Sequence, residues 1–344
     1  MSKQDQNYYE KLTKEALESI SNVRTKEIIS LRFGLNNGKR QTLEATGKKY
    51  NITRERVRQI EEAAFSVFKN PSNIKKFKPV FKQIDNFFKK EGGLVKEERL
   101  FSEMTQADSL NSEKGNFYFI LTLNPSCDRF VETDKFYPCW VNSKKVFSKA
   151  GDIVSKLAEY IKQDGKPLKF EDIYKFSKTQ GYSLTKRALN SYLDASKIIS
   201  KNTFNEYGLS KWSEISPRGA KDKAYIILKQ QRKPLHFKEV AQFISEAGLG
   251  NNPAQPQTVH NELIKDNRFI LVGRGTYALE EWGYKKGTVK EVIAQILKEK
   301  GPLSREEVIN EVSKNRYAKP NTILINLQNR KHFIRDEEGK YRLK

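Results

Sequence analysis

A pair of helix-forming stretches separated by a short turn occupies residues 42–69 of the 344-residue chain, and from residue 77 onward two independent markers repeat at a spacing of about 70 residues. Each repeat closes on a short stretch of alternating, strand-forming residues. Together these predict a mainly α protein with small β-hairpins, built as a helix-turn-helix head followed by a tandem array of winged-helix domains.

The head comes first. "TLEATGKKY" reads as a helix with Thr42 as N-cap and Glu44 in its first turn. Asn51 suits a left-handed turn residue, and Thr53 caps the next helix. Residues 54–68, placed at about 100° per residue, put Val57, Ile60, Ala64, Val67 and Phe68 on one side as the core stripe. Arg54, Glu55, Arg58, Gln59 and Glu62 fall on the other, with Arg56 on a flank. Arg pairs with guanine edges, Gln with adenine, and a carboxylate accepts from cytosine. Two helices and a short turn give the layout whose second helix enters the major groove. A solvated charged face on a core-packed helix fits the same pattern, and pattern alone leaves the two readings level.

The stretch "IISLRFGLNNGKRQTLEATGKKYNITRERVRQIEEAAFSVFKNPS", residues 28–72, resembles region 4 of primary-type bacterial sigma factors. The likeness covers the "LRFGL" helix end, the "TLE..G" first helix, the "TRERVRQIE" recognition helix and the trailing "PS". In that family the recognition helix reads the −35 promoter element. The resemblance implies base contacts from Arg54, Glu55, Arg58 and Gln59, and DNA-backbone contacts from Thr42, Leu43, Thr53 and Arg56. Ala45 and Thr46 depart from it, standing where a carboxylate and an apolar residue are usual. The polymerase-clamp and DNA-melting segments of a complete sigma factor have no counterpart in this sequence, which is therefore read as something else.

Trp140, Trp212 and Trp282 lie 72 and 70 residues apart, and Pro167, Pro234 and Pro302 lie 67 and 68 apart. The prolines open matching stretches, "GKPLKFEDIYKF", "RKPLHFKEVAQF" and "KGPLSREEVINE". Each unit reads as a helix, a Pro-Leu turn, a second helix, a third helix and a strand pair. A looser copy at 77–148 uses "FYFILTL" as third helix and "DRFVETDKFYPCW" as hairpin. The expected domains are 1–76, 77–148, 149–216, 217–286 and 287–344, with short linkers near "NPSN", "SKAGD", "SPRG" and "YKKG". The tryptophans are read as core staples. Within residues 220–285, "PLHFKEVAQFISEAG" and "DNRFILVGRGTYALEEWGY" resemble the HARE-type winged helix, found in the delta subunit of bacterial RNA polymerase, in chromatin regulators and beside some restriction nucleases. That resemblance implies a module that contacts polymerase or DNA.

Lys+Arg 64 against Asp+Glu 42 leaves a net charge of +22, which suits a polyanion through phosphate neutralisation. Lysine as a default solubilising residue is the bland alternative. Among the repeats, Lys186, Arg187, Lys201 and Arg274 are candidate secondary DNA contacts. Against residues 54–59 they are weak readers, so some repeats are expected to dock protein or act as spacers.

Cys127 and Cys139 have no metal-ligand companions, and His236, His260 and His332 are scattered one per repeat. "GRGTYA" at 273–278 mimics a dinucleotide fingerprint, but it lies between two strand-like runs and reads as a hairpin turn. There is no P-loop, nucleophile elbow or nuclease-like carboxylate cluster. The sequence predicts no enzyme, no metal and no small-molecule cofactor. "MSKQDQNYYEKL" lacks a signal peptide's apolar core, and "FYFILTL" is too short to span a bilayer. A cytoplasmic, nucleoid-associated protein without a membrane partner is expected.

The functional expectation is a sequence-specific transcription factor reading a −35-like element through residues 53–60, with double-stranded promoter-like DNA and RNA polymerase core as partners. A delta-like polymerase accessory subunit that reads no sequence, and the DNA-targeting component of a defence system, are the rivals.

Overall fold

The computed structural model describes residues 8–105, 111–250 and 252–344. Residues 1–7, included in the expected head, and residues 106–110, in the expected first winged unit, lie outside them. Contacts divide the chain into two compact units, residues 1–200 and 201–344.

The first unit opens with α1 (Tyr8–Glu18), α2 (Val23–Phe33), α3 (Leu43–Tyr50), α4 (Arg54–Phe68) and a helical turn, α5 (Pro71–Ile74). Asn22 caps α2 by accepting from the Thr25 amide, and Gly34 ends it in the left-handed conformation at φ 66°. The next elements are α6 (Lys78–Lys90), β1 (Leu94–Lys96), α7 (Glu97–Met104), α8 (Asn111–Leu123), β2 (Asp128–Phe130) and β3 (Cys139–Val141). The strands form an antiparallel sheet of order β1-β3-β2, with Leu94 and Asp128 both opposite Val141. The second winged unit supplies α9 (Lys144–Asp164), β4 (Leu168–Lys169), α10 (Phe170–Thr179) and α11 (Lys186–Ala195). The division between the two compact units falls within β5 (Ile199–Lys201), which precedes β6 (Glu206–Leu209).

The head does not end at residue 76. Tyr9, Phe33, Ala64 and Phe68 share one core with Phe77, Ile84, Phe88, Phe119 and Trp140. Phe119 of α8 sets its ring 5.3 Å from Phe33, 5.8 Å from Phe65 and 5.2 Å from Phe68. The Tyr9 hydroxyl donates to the Met104 carbonyl at 2.9 Å, and the Asn116 amide to the Leu35 carbonyl at 3.2 Å. At Gly115 a Cβ would stand 2.4 Å from the Gly34 carbonyl oxygen, so α8 crosses the end of α2 at backbone distance. The boundary expected between 76 and 77 is thus filled by one apolar core.

Two expected linkers are also helical. Asn70 caps α5 within "NPSN", and "SKAGD" lies inside α9. The apolar stripe of Ala150, Ile153, Val154, Leu157 and Ile161 runs unbroken past Gly151, which is itself buried. Val67, expected in the core stripe of α4, is 39% exposed. Phe65 and the half-buried Glu61 take its place on the inner side.

The second unit continues with α12 (Gly219–Gln231), β7 (Leu235–His236), α13 (Phe237–Glu246), α14 (Pro256–Lys265), β8 (Phe269–Gly273) and β9 (Thr276–Leu279). It ends with α15 (Val289–Lys300), α16 (Arg305–Asn315), α17 (Pro320–Leu327), β10 (Phe333–Arg335) and β11 (Tyr341–Leu343). β7, β9 and β8 form an antiparallel sheet in that order. Gly273 and Thr276 pair across a two-residue turn, so "GRGTYA" is a hairpin with Gly275 at φ 67°. The Pro-Leu segments, read as turns, form the short strands β4 and β7, while in the last unit Leu303 keeps only a single bridge to Tyr341. Of the three tryptophans, Trp140 is fully buried, whereas Trp212 and Trp282 are half-buried. Among the described residues no helix is long and apolar enough to cross a membrane.

Candidate nucleic-acid interface

The residues read as caps are caps. Thr42 Oγ1 accepts from the Ala45 amide and Thr53 Oγ1 from the Arg56 amide, each at 3.1 Å. Asn51 joins the helices at φ 52°. Gly47 is required between them, because a Cβ there would sit 2.7 Å from the Ile52 carbonyl oxygen. Two polar braces fix the pair onto α2. Arg24 donates to the Tyr50 carbonyl at 2.7 Å, and the Tyr50 hydroxyl donates to Glu27 at 2.8 Å. Arg32 pairs with Glu61 of α4 at 2.8 Å and also donates to the Gln41 carbonyl. Periodicity gave no sign of these braces, since each joins charged residues far apart in the chain.

On that frame Arg54, Glu55, Arg56, Arg58 and Gln59 are all exposed at the start of α4. The structure therefore brings the four expected base readers onto one face, together with Arg56. They are not idle. Arg58 forks onto Glu55, with Nη2 2.7 Å from Oε1 and Nε 3.0 Å from Oε2, and its other arm reaches Glu62. Arg56 donates to Gln59 at 3.1 Å. Hydrogen bonding from Arg58 holds the Glu55 carboxyl below its usual range, and the same partners raise the Arg58 guanidinium. Exposed pairs of this kind are weak and screened by salt. They keep the long side chains ordered while leaving them exchangeable for a stronger partner. Arg54 has no side-chain partner among the described residues. Leu43 is half-buried at the first turn of α3. Beside Thr42 a cleft of about 580 Å³ opens between α4 and α8, lined among others by Arg40, Glu62, Phe65, Lys69 and Tyr118. The Arg40 guanidinium lies 3.9 Å over the Tyr118 ring.

The secondary candidates are placed differently. Lys186 pairs with Glu171 at 2.7 Å, and Arg187 pairs with Glu91. Glu91 is fully buried and also takes Arg99 at 2.7 Å. The rest of α11 follows: Ser191 donates to the Leu94 carbonyl at 2.6 Å and Tyr192 to the Gly92 carbonyl at 2.7 Å. A Cβ on Gly92 would come 2.4 Å from the Ala188 Cβ. The third helix of the second winged unit is therefore seated on the turn and strand of the first. Arg274 is exposed at the β8–β9 turn, and Lys201 is exposed at the end of β5. Burial raises both cysteine thiols to about 12, which keeps them protonated.

Comparison with known proteins agrees with this geometry in two places. Residues 22–69 match the model of Sigma-70, region 4, and residues 220–282 match that of HARE-HTH, the restriction endonuclease HTH domain. RNA polymerase sigma factor SigA of Clostridium acetobutylicum is 45% identical over 71 residues, which is 20% of this chain and 19% of that protein. The SigA of a Bacillus species is 43% identical over 70 residues, again 20% of this chain and 19% of the relative. The match thus spans about a fifth of the length of these relatives. The chain joins a segment similar to Sigma-70 region 4, carried on α2–α4, to a segment similar to the HARE-HTH domain, carried on α12–β9.

Proposed function

We propose that this chain is a sequence-specific DNA-binding transcription factor that acts with bacterial RNA polymerase, α4 reading a −35-like element through residues 53–60. The observation that carries the reading is the start of α4. Arg54, Glu55, Arg58 and Gln59 stand together on the exposed face of a capped helix, in a segment that matches Sigma-70 region 4. On a duplex, Arg58 exchanges Glu55 and Glu62 for a guanine edge, and Gln59 exchanges Arg56 for an adenine edge. Arg56, released, turns to phosphate. The base contacts specify, and the phosphate contacts position and make affinity salt-dependent. Lys186 and Arg187 contribute little, because their charges already serve Glu171 and Glu91. Arg274 and Lys201 add phosphate contacts at most.

The test is a comparison of intact wild type with Arg58→Ala and Gln59→Ala on a −35-consensus duplex and on a scrambled one. Each variant is expected to lose roughly tenfold of the discrimination, as removal of one base contact should. Indifference of both variants would instead favour a polymerase accessory subunit that reads no sequence.

A further inference from the structure

Each winged unit carries a third helix, and the structure gives these helices different surroundings. In α8, Phe117, Phe119, Ile120, Leu121 and Leu123 are buried in the core shared with the head. α11 is seated on Glu91–Leu94. α14 is open, but it carries Glu262 and leads directly into Asp266.

The helix α17 is different. From Pro320 to Asn329 it carries no charged residue. Asn321, Thr322, Ile325, Gln328 and Asn329 face outward, with Ile325 70% exposed. Cations stand at both of its ends. Lys319 precedes it and Arg330 and Lys331 follow, while Lys344 is held beside them by its amide, which donates to the His332 carbonyl at 3.0 Å. None of these four forms an ion pair among the described residues, whereas Lys285, Lys300, Lys314 and Lys340 of the same region are all paired. Gln328, Arg330, Arg335 and Lys344 border one recess of about 770 Å³ between the end of the helix and the hairpin. Residues 319–344 hold seven basic against three acidic residues, and the three acids, Asp336, Glu337 and Glu338, are consecutive in the turn between β10 and β11.

We infer that α17 is a second DNA-reading helix, with its amides and Ile325 directed to adenine-thymine steps in the major groove and its flanking cations to the phosphates on either side. The chemistry selects the partner. Amides match the adenine edge in bidentate fashion, and an exposed aliphatic side chain matches the thymine methyl. Uncompensated cations at both ends of an uncharged helix fit a partner whose charge lies on either side of an uncharged floor, as it does in a duplex groove. The wing tip, with its three acids, stays away from the backbone. This rests on the proposed function only in requiring duplex DNA; the contact itself is separate from α4.

Hydroxyl-radical footprinting of the full chain, on a long duplex bearing a −35-like element flanked by A·T-rich sequence, tests it. Wild type is expected to protect two segments, one over the element and one in A·T-rich sequence outside it. Asn321→Ala/Gln328→Ala should lose the second segment and keep the first, with a roughly tenfold drop in affinity. Arg330→Ala/Lys331→Ala should do the same and lower the salt slope by about 2, near 0.9 per phosphate contact. Arg58→Ala should lose the first segment and keep the second, which separates failure of this inference from failure of the α4 reading. Circular dichroism of each variant controls for folding. A single protected segment that both α17 variants leave unchanged, in length and salt slope, would overturn the inference and assign this surface to a protein partner. Protection of neither segment by wild type would overturn both readings.

Discussion

Arg58 meets two carboxylates in the free protein and a base edge in the proposed complex, and the exchange sets what each nearby substitution should do. Arg58→Ala removes a reader, so it should reduce the preference for the consensus duplex more than the affinity for scrambled DNA. Arg56→Ala should weaken both duplexes alike and lower the salt slope by about 1, the signature of one phosphate contact. Binding isotherms at several salt concentrations separate the two outcomes. Glycines set the other residue-scale limits. Gly115→Ala would place a Cβ 2.4 Å from the Gly34 carbonyl oxygen, against backbone that has no side chain to move aside. Gly→Ala inside a helix ordinarily stabilises by about 0.5–1 kcal/mol; here the melting temperature should fall. A rise would show that the α2–α8 crossing is looser than described.

Among the elements, α8 connects head and first winged unit. Phe119→Ala removes a ring that touches Phe33, Phe65 and Phe68. It should cost about 3–5 kcal/mol, as large-to-small changes in a core do. A fragment ending at residue 76 should lack a cooperative melt, whereas one ending at residue 148 should have one. The last winged unit offers a pH test. Its first two helices begin with capping boxes in which the Thr288 amide donates to Glu291 and the Ser304 amide to Glu307, each at 2.7 Å. These hydrogen bonds hold both carboxyls below the ordinary glutamate range. A folded value below the unfolded one gives stabilisation that is full above about pH 4.3 and is lost as pH falls through the lower folded value. Glu291→Gln/Glu307→Gln keeps the geometry of the boxes and should flatten that acid limb in thermal melts. The caps Thr42, Thr53 and Thr288 and the hairpin at Gly275 were legible in the sequence, because each depends on neighbours within a few residues. The Arg32–Glu61 brace and the Arg187–Glu91 pair were not, since they join residues 29 and 96 positions apart. The continuity of the core across residue 76 was hidden for the same reason. α8 looks like one more apolar helix until its partners are known.

For the whole molecule, a net charge of +22 ensures some affinity for any nucleic acid at low salt. Binding by itself is therefore a poor witness. The region 4-like segment is a fifth of the chain, and the winged units supply most of the remaining surface and charge. What distinguishes a promoter-selective regulator from a basic protein with a helix-turn-helix is whether sequence preference outlasts the electrostatic term. Fluorescence anisotropy of the intact protein on a −35-consensus duplex and on a scrambled duplex, across a salt series, measures that directly. The account predicts at least tenfold tighter binding to the consensus, a gap of about 1.4 kcal/mol that persists as salt rises. Equal binding to both duplexes, released together by salt, would contradict it.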